Sequence, residues 1–423
     1  SYTYNSGPAA GLVGSYELGR ELDVGGTGLT LDIGGTSTDI GSIGDSFAGV
    51  EEAITVDGIT VDVPSIVAES LGGGGGSIAR LEDGSVEVGP QSAGALPGPM
   101  CYGLGGEAPT VTDANLVLGY LDGDTFLGGR RSLDVEAATE GIRTQIADPL
   151  GISVPEAAWL IRQRVDEIVA AGLTRYAESR GLAPTAVFAY GGGGATHVST
   201  VADLLGIPTA YCFPMSPVFS AYGSSRMDVS HLYETALIGA NNGAGVDVGS
   251  LVAAMTEEAA RDMLGEGFDP DLVQYQVEAG VSPAAAPSSR IFVAVGDASG
   301  SVPAAQVAQA AAAGLGDRGT DANGDDMVWE SVRLRAVAAT PHPELASPAY
   351  DGVYSPKAAG ETRRVWTGSD FEDVAVHDLG DLATGDSVAG PAIIESEFTS
   401  IGVSGAREAR IDGAGNVVLV TKD

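Results

Sequence analysis

Apolar residues recur at the spacing of a helix in several separate segments of the chain. Residues 9–22 and 154–181 show this pattern, and the longer segment ends on Gly181, a residue that suits the end of a helix. Residues 251–265 and 303–315 are further helix candidates. Helices are therefore predicted along much of the chain.

Other segments have the composition and alternation of β-strands. Residues 27–33 and 39–44 are β-prone runs on either side of a glycine turn and predict a hairpin. Residues 52–64 alternate Thr, Val and Ile around a central Asp-Gly pair, which is a strong hairpin signal. Residues 185–207 have the pattern of a buried strand, a glycine turn and a helix that begins near Ala195.

The balance of helix and strand changes along the chain, and this change predicts three parts. Residues 1–240 are expected to form a mixed α/β core, and residues 241–325 a mostly helical segment. From residue 328 onward the pattern turns to strands, so residues 326–423 are expected to form a β-rich domain.

The net charge of the chain disfavours two classes of binding partner. The chain has 57 acidic against 21 basic residues and a formal net charge of −36, a field that repels nucleic acid and anionic membranes. No apolar run approaches the length of about 18 residues that a membrane span needs, so neither a nucleic-acid nor a membrane role is expected. A polyanionic ligand then needs local help from backbone N–H groups, arginine or a metal.

The cysteines and histidines limit the kinds of disulfide and metal site that the chain can form. Two cysteines, Cys101 and Cys212, are too few for a disulfide framework, so a reducing, cytoplasmic compartment is expected; a single bridge between them is the alternative. The four histidines have no metal-binding spacing. The chain begins without Met, which we interpret as processing, trimming or a fragment.

The first glycine turn has the composition of a phosphate site. It follows Asp32 and contains Gly34, Gly35, Thr36 and Thr38. Two glycines allow consecutive backbone N–H groups to point at one anion, the threonines add hydroxyl donors, and Asp32 is a candidate magnesium ligand. The structural alternative is a tight polar hairpin turn.

Two further glycine runs lie between apolar segments. In the stretch 190–198, a strand leads into Gly191–Gly194 ahead of a helix, a place where phosphates or nucleosides pack. The alternative is a tight strand-to-helix connection. Five glycines at 72–76 indicate either flexibility or very close approach of another backbone or ligand.

Seven stretches, in order along the chain, together resemble one family. They are SGPAAGLVGS (6–15), LDIGGTSTDI (31–40), GGGGSIA (73–79), SAGALPGPMCYGLGGEAPTVTDANLVLGYLDGDTFLGG (92–129), YGGGGATHV (190–198), PVFSAYG (217–223) and GPAIIESEFTS (390–400). With these stretches the chain is similar to the large ATP-dependent subunit of the hydantoinase/oxoprolinase family, which also includes acetone and acetophenone carboxylase subunits. The resemblance covers about 1–235 and 328–423.

The resemblance implies a fold and a reaction. The fold is α/β, with an actin/hexokinase/Hsp70-like (ribonuclease H-like) ATPase domain, a helical segment and a β-rich C-terminal domain. ATP, with Mg²⁺, phosphorylates a carbonyl oxygen of a cyclic amide or ketone, which is then hydrolysed or carboxylated. The implied catalytic residues are Asp32, Asp39 and Asp113, with Asp32 also holding the metal. The implied ATP-binding residues are Gly34, Gly35, Thr36, Thr38, Gly192, Gly193 and Gly194.

The resemblance also implies partners. The usual family chain begins with another domain carrying its own phosphate loop, and this sequence starts about where the second domain begins. A chain carrying the missing ATPase half and a hydantoinase B-like, metal-dependent subunit are therefore expected, together with a small-molecule substrate. A non-catalytic scaffold subunit is the competing function. Lactam and ketone substrates are not distinguished.

Several candidate residues have a structural interpretation beside the functional one. Asp113 is either a helix cap or a site residue, and Cys101 is either a buried thiol or a nucleophile. His231 is either a core or interface residue or a substrate contact. The sequence departs from the family pattern at Ala68–Leu71, where Glu69 is a candidate carboxylate, and in the glycine loop before His197, which itself matches the family.

Overall fold

A computed structural model describes most of the chain, and its residues form two compact units. The described residues are 6–21, 26–44, 50–51, 54–56, 59–61, 65–66, 68–237, 248–283, 291–297, 327–342, 347 and 349–422. The first unit comprises Ser1–Arg226 and Glu344–Asp423, and the second comprises Met227–Pro343.

The helices of the described residues begin and end at recognisable signals. Ser153 caps the longest of them with its side chain, and Glu156 completes a capping box by accepting from the Ser153 amide. The α-helices are α1 (Ser6–Glu21), α2 (Val111–Val117), α3 (Val135–Ile142), α4 (Asp148–Leu150), α5 (Val154–Ser179), α6 (Gly191–Leu205), α7 (Phe219–Ser225) and α8 (Val248–Gly265). A short π-helical turn, Arg143–Ala147, joins α3 to α4.

The strands are numbered in chain order. They are β1 (Thr27–Ile33), β2 (Thr38–Ile43), β3 (Val50–Glu51), β4 (Ile54–Val56), β5 (Ile59–Val61), β6 (Ser65–Ile66), β7 (Glu69–Leu71), β8 (Ser77–Glu82), β9 (Ser85–Ser92), β10 (Pro184–Tyr190), β11 (Thr209–Cys212), β12 (Val229–Ala236), β13 (Gln274–Pro283), β14 (Ile291–Asp297), β15 (Met327–Ala338), β16 (Ser355–Pro356), β17 (Glu361–Trp366), β18 (Phe371–Asp378), β19 (Asp386–Ala389), β20 (Ala392–Glu395), β21 (Ser400–Val403), β22 (Arg407–Ile411) and β23 (Val417–Thr421).

A nine-stranded sheet is the centre of the first unit. Its order is β16-β19-β22-β23-β11-β10-β1-β2-β7. The strands β1, β10 and β11 run parallel, while β2 and β7 pair antiparallel on the other side of β1. The β1–β2 hairpin therefore lies beside a βαβ connection through α6, so both glycine turns lie at the carboxyl end of a parallel strand, where α/β sheets bind ligands.

Alternate residues of β10 face opposite layers. Val187 and Ala189 are fully buried in the core formed with α5 and α6, whereas Phe188 and Tyr190 face the other layer. In that second layer an aromatic cluster lies beneath α1 and α7, with the Tyr190 and Phe219 ring centroids 4.4 Å apart. Because both faces of β10 are buried, its sequence is a continuous run of apolar residues.

The C-terminal segment of the first unit belongs partly to this sheet. Strands β19, β22 and β23 extend it beyond β11, and β17, β18, β20 and β21 form a separate four-stranded sheet. That smaller sheet is tied to α6, because the Thr196 hydroxyl donates to the Ser400 carbonyl at 2.7 Å and the Ser404 amide donates to Ser199 Oγ at 2.9 Å.

The second unit is a four-stranded sheet covered by one helix. The sheet has the order β12-β15-β13-β14, and α8 buries Val252, Met255 and Met263 in the shared core. The prediction of a mostly helical segment at 241–325 is therefore corrected for the described residues: α8 is helical, but β13 and β14 are strands. Strand β13 pairs with β15 and β14 pairs with β13, and the local sequence pattern does not show these pairings.

Most predicted elements in the described residues are present. The hairpin at 27–44, the strands around the Asp-Gly pair at 54–61 and the helices at 154–179 and 248–265 are confirmed, as are the strands after 327. The helix after β10 begins at Gly191 rather than near Ala195, so the glycines form its first turn. The predicted helix at 303–315 lies outside the described residues.

None of the helices that the structure describes is long and apolar enough to cross a membrane.

Helices α1 and α7 approach so closely that glycine is required where they meet. A Cβ on Gly223 would overlap the Ala10 carbonyl oxygen and lie 3.0 Å from the Gly14 amide nitrogen. A Cβ on Gly14 would in turn lie 3.0 Å from the Gly223 Cα. This contact places α1 over the aromatic cluster.

We predict that Gly223→Ala lowers the free energy of unfolding by about 2–3 kcal/mol, because the added methyl group forces the two backbones apart. The control is Gly7→Ala in α1, where a Cβ meets nothing within 4 Å. That change is expected to be neutral or to stabilise by up to about 1 kcal/mol through helix propensity. Urea-induced unfolding measures both variants; equal effects would contradict the close approach.

Candidate functional site

The first and third glycine runs contact each other through their backbones. The amide of Gly75 donates to the Gly34 carbonyl at 3.0 Å, and the amide of Gly76 donates to the Gly35 carbonyl at 2.6 Å. A Cβ on Gly74 would lie 2.8 Å from the Gly34 oxygen. The run at 72–76 is therefore a close-approach segment, and it holds the β1–β2 turn from behind.

The exposed edge of the turn carries unused donors. Gly35 and Thr36 are exposed. Within the described part of the chain, neither of their amides donates to an acceptor, while the Gly34 amide closes the turn onto the Ser37 carbonyl at 2.9 Å. Two adjacent free N–H groups beside a hydroxyl are a suitable arrangement for an anion.

Thr38 does not belong to this exposed edge. Its side chain is fully buried, and its hydroxyl donates to the Gly73 carbonyl. The structure therefore corrects the prediction that Thr38 holds phosphate: a residue in the first position of β2 points its side chain inward because of the strand alternation.

The start of α2 supports the same assembly. The Thr112 amide and hydroxyl both donate to the Gly75 carbonyl at 2.8 Å, and Gly75 in turn donates to Gly34. A continuous series of hydrogen bonds thus connects the first turn of α2 to the β1–β2 turn. Thr112 was not among the predicted site residues.

Asp113 is a structural residue. It is fully buried, and its carboxylate accepts from the Thr110 amide at 2.9 Å, the Thr110 hydroxyl at 2.8 Å, the Cys101 amide at 2.7 Å and the Met100 amide at 3.2 Å. It is the third residue of α2 and forms a capping box with Thr110. The prediction of a catalytic Asp113 is therefore corrected in favour of capping, since the carboxylate is fully buried and already accepts four hydrogen bonds from its own chain.

Asp32 lies directly opposite Asp39 in the β1–β2 pair. Burial, with a further contribution from the Asp39 charge, raises the pKa of Asp32 from 3.8 to about 6. Asp39 accepts a hydrogen bond from the Ser70 hydroxyl on β7. The two carboxylates therefore form a pair with excess negative charge next to the turn.

The first turn of α6 faces Asp32. Gly191 has φ +78°, and a Cβ there would collide with Asp32 Oδ1 and lie 2.6 Å from the Ile33 carbonyl oxygen. Only glycine fits this position. No side chain caps α6, so the amides of its first turn are open to a ligand.

The three predicted nucleoside glycines have different surroundings. Gly192 is exposed, and a Cβ there would meet nothing within 4 Å. Gly193 lies over Ile33, and a Cβ on Gly193 would be 3.1 Å from Ile33 Cγ2. Gly194 is buried against the Leu31 carbonyl. Gly194 therefore serves helix-to-strand packing and not ligand contact, which corrects that prediction.

Gly192 opens onto a small cavity of about 50 Å³ beside the end of β20. The cavity walls combine the Leu121–Leu127 region with the 395–400 turn, including Phe126, Phe398 and Ser400. This apolar and polar wall lies directly beyond the open end of α6.

Behind α6 lies a buried polar network. His197 Nδ1 is 2.6 Å from Asp166 Oδ1, and its Nε2 is 2.9 Å from the side-chain nitrogen Nδ2 of Asn115. Burial lowers the pKa of His197 below its ordinary value, so the ring is neutral, donating to Asp166 and accepting from Asn115. Arg162 donates to Asn115 Oδ1 at 2.6 Å and to the Thr196 carbonyl at 2.7 Å. The network fixes α6 relative to α2 and α5.

Family profiles match both ends of the chain. The hydantoinase/oxoprolinase profile matches residues 1–232, and the hydantoinase/oxoprolinase C-terminal domain matches residues 327–417. The first match alone spans more than half of the sequence.

The chain belongs to the hydantoinase/oxoprolinase family. It is 34% identical to the acetophenone carboxylase gamma subunit of Aromatoleum aromaticum, over all of this chain and 60% of that protein. It is 38% identical to caprolactamase subunit alpha of Pseudomonas jessenii, over 63% of this chain and 39% of that protein.

A solved structure of this family confirms the predicted fold class. The nucleotide-free structure of acetone carboxylase, from a study of ATP-dependent acetone carboxylation, superposes with a TM-score of 0.84 at 26% identity. The match covers 98% of this chain and 61% of that one. The chain thus spans about 60% of the length of relatives it matches along its whole length.

The remaining predicted positions of this family member are structural or lie apart from the turn. Cys101 and Cys212 are buried free thiols; burial raises the pKa of Cys101, which excludes a thiolate nucleophile at neutral pH. Glu69 pairs with Arg180 at 2.9 Å at the sheet edge. His231 lies in the second unit, 3.0 Å from Glu266.

Sequence reasoning missed Thr112 and Gly191 in this family member. The signal for Thr112 was the Thr-x-x-Asp pattern at Thr110–Asp113, which marks the start of a helix. Gly191 was grouped with its neighbours as a loop residue. Only the register of β1 against β10 shows that it faces Asp32.

We predict that Asp113→Ala lowers the free energy of unfolding by about 3–5 kcal/mol, because three backbone amides and a hydroxyl lose a buried acceptor. The control is Asp134→Ala, which removes an exposed cap that accepts from the Ala137 amide and from no other described residue, at an expected loss of about 1 kcal/mol. Urea titrations of both variants measure the difference. Similar losses would contradict the structural role of Asp113.

Proposed function

We propose that this chain is the ATP-using part of a hydantoinase/oxoprolinase-type enzyme. In this reaction a carbonyl oxygen of a cyclic amide or ketone, in its enol or imidic acid form, receives the terminal phosphoryl group of ATP. Hydrolysis or carboxylation of the phosphorylated species follows. The observation that carries the proposal is the convergence of the exposed Gly35–Thr36 amides, Asp32 and the uncapped first turn of α6.

The phosphates are assigned to the β1–β2 turn. Gly35 and Thr36 offer adjacent amides, and the Thr36 hydroxyl adds a third donor. Gly34 shapes the turn and is held by Gly75, so its role is positioning. A net charge of −36 makes such local donors necessary, since the global field repels a polyphosphate.

Asp32 and Asp39 fit a magnesium ion. Mg²⁺ in phosphoryl-transfer sites is held by one or two carboxylates plus phosphate oxygens and water. Burial, with a further contribution from the Asp39 charge, raises the pKa of Asp32, and a bound cation would favour its charged form. Asp32 and Asp39 would hold the ion, which neutralises phosphate charge when bound. Asp32 also orients the attacking oxygen.

The nucleoside is assigned to the open end of α6. Gly192 leaves room for a ribose or base, and the 395–400 turn with Phe126 and Phe398 supplies a partly apolar wall. Gly193 and Gly194 hold α6 close to β1, and the His197 network fixes the opposite side of the helix. These residues keep the two parts of the site at a constant separation.

Further chains complete the enzyme in this proposal. The relatives above are the gamma subunit of acetophenone carboxylase and the alpha subunit of caprolactamase, names that indicate enzymes of several subunits. We infer a complementary ATPase half and a hydantoinase B-like, metal-dependent subunit that acts on the phosphorylated product. The cytoplasm is the proposed compartment, because both cysteines are free thiols.

The experiment is ATP turnover by the complex isolated through a tag on this chain, assayed with lactams and with ketones plus bicarbonate. Asp32→Asn is expected to reduce turnover at least 100-fold, because it removes the charged ligand and orienting group. Asp83→Asn, a surface turn residue with φ +50°, is the control and should stay within twofold of wild type. Substrate-stimulated turnover that survives Asp32→Asn contradicts the assignment; its absence in the wild-type complex indicates a scaffold.

The pH dependence of stability tests the carboxylate pair without a substrate. The pKa of Asp32 is about 6 in the folded protein against an ordinary 3.8, so the folded state binds this proton more tightly than the unfolded chain. Stability from this group is present below pH 3.8 and is lost as the pH rises through about 6. We therefore expect Asp32→Asn to stabilise the protein by about 1–3 kcal/mol at pH 8 and to have little effect near pH 4. Urea unfolding at both pH values measures this; an equal effect at both would contradict a raised pKa.

A further inference from the structure

A second, larger cavity lies in the first unit, beside the C-terminal four-stranded sheet. Its volume is about 930 Å³, within the range of pockets that bind small organic molecules. Strands β17 and β18 supply one wall, including Glu361 and His377, and the turn after β18 supplies Asp381. Glycines 128, 129 and 360 leave its sides open. It shares Asp122, Thr125 and residues 395–397 with the cavity beside Gly192, and it extends from there to β17 and β18, beyond the proposed nucleotide site.

The charges on the cavity wall are unbalanced. Both basic residues of the wall are already neutralised. Arg363 donates to Glu395 at 2.7 and 2.8 Å and to Asp122 at 3.0 Å. Lys357 donates to the Asp381 carbonyl at 2.8 Å and lies 3.3 Å from Asp386.

Three further carboxylates of the wall remain without a basic partner among the described residues: Glu361, Asp378 and Asp381. The Asp378 carboxylate accepts only from the Gly380 amide, at 2.7 Å. The wall therefore favours a positively charged occupant.

His377 is a second, independent sign of a ligand. Its side chain lines the cavity and is only 6% exposed, yet within the described part of the chain no group forms a hydrogen bond with its imidazole. Its ring nitrogens are not among the polar atoms that are sealed from solvent without a partner, so the ring is available to a group that enters the cavity. Burial and the nearby Lys357 charge lower the pKa of His377, which keeps the ring neutral and able to accept a hydrogen bond.

We propose that this cavity binds a small organic cation of the amine or guanidine class. Its N–H groups donate to the His377 ring and to the carboxylates of Glu361 and Asp381. Its alkyl portion contacts Val376 and Leu382 on the same wall.

Calorimetric titration of the full chain with agmatine at 0.15 M salt tests the proposal. One saturable site is expected. His377→Phe keeps the carboxylates but removes the acceptor, and Glu361→Gln with Asp381→Asn removes two charges; each is expected to weaken binding at least tenfold. The charge-matched control, Asp83→Asn with Glu136→Gln on exposed positions outside the cavity, should stay within twofold of wild type. Absence of saturable binding, or an equal loss in the control, overturns the proposal and indicates diffuse attraction to the acidic protein.

Histidine proton resonances supply a readout that does not need a folded variant. The chain has four histidines, so their ring signals are few enough to separate. Agmatine is expected to shift the His377 signal in the wild-type protein while leaving those of His231 and His342, in the second unit, unchanged. Butane-1,4-diol, which has a similar length but no charge, is expected to shift none of them. No shift of the His377 signal at saturating agmatine would refute the site.

Discussion

The candidate site depends on one backbone-to-backbone contact, between the Gly34–Gly35 turn and the glycine run at 72–76. Two amides of the run donate to two carbonyls of the turn, and side chains would block this approach, since a Cβ on Gly74 or Gly76 would lie 2.8 Å from a carbonyl oxygen. Because the carbonyls of the turn are used on the inside, its free amides face outward. The polarity of the proposed phosphate site is thus a consequence of the packing behind it, and the Thr112 contacts extend that packing to α2.

Placing Asp32 in this assembly costs stability, and the proposed function depends on the same carboxylate. Burial and the neighbouring Asp39 both disfavour its charged form, as the raised pKa shows. Such a group survives in a stable fold only where the surrounding structure is held rigidly, and here the sheet, Gly191 and the glycine run provide that rigidity. The same destabilised charge is what attracts a cation, so the local instability and the proposed metal binding have one physical origin.

Local pattern was enough to predict the hairpin, the long helices and the family, since all of these depend on residues close together in the sequence. It was not enough for the roles of Thr38, Asp113 and Gly194. Each of these residues has a plausible ligand-binding side chain or position, but each is buried by a contact from a distant segment. The strands β13 and β14 were missed for the same reason: β13 pairs with β15, which follows it in the sequence, and β14 pairs in turn with β13. Contacts between segments that are distant in the sequence decide which of the predicted residues are structural and which remain free to bind a ligand.

Helix capping also distinguishes structural segments from the proposed ligand site. Thr110, Asp134 and Ser153 cap α2, α3 and α5 with their side chains, so those helices satisfy their first amides internally. Helix α6 has no such cap, although Tyr190 precedes it and a Ser, Thr or Asp at that position would cost nothing in backbone conformation. Tyr190 instead fills the aromatic cluster under α1, and a polar cap would leave a cavity there. The open end of α6 is therefore maintained by the core on one side and by the Asp32–Gly191 contact on the other, which leaves the first-turn amides as donors for an anion supplied from outside the chain.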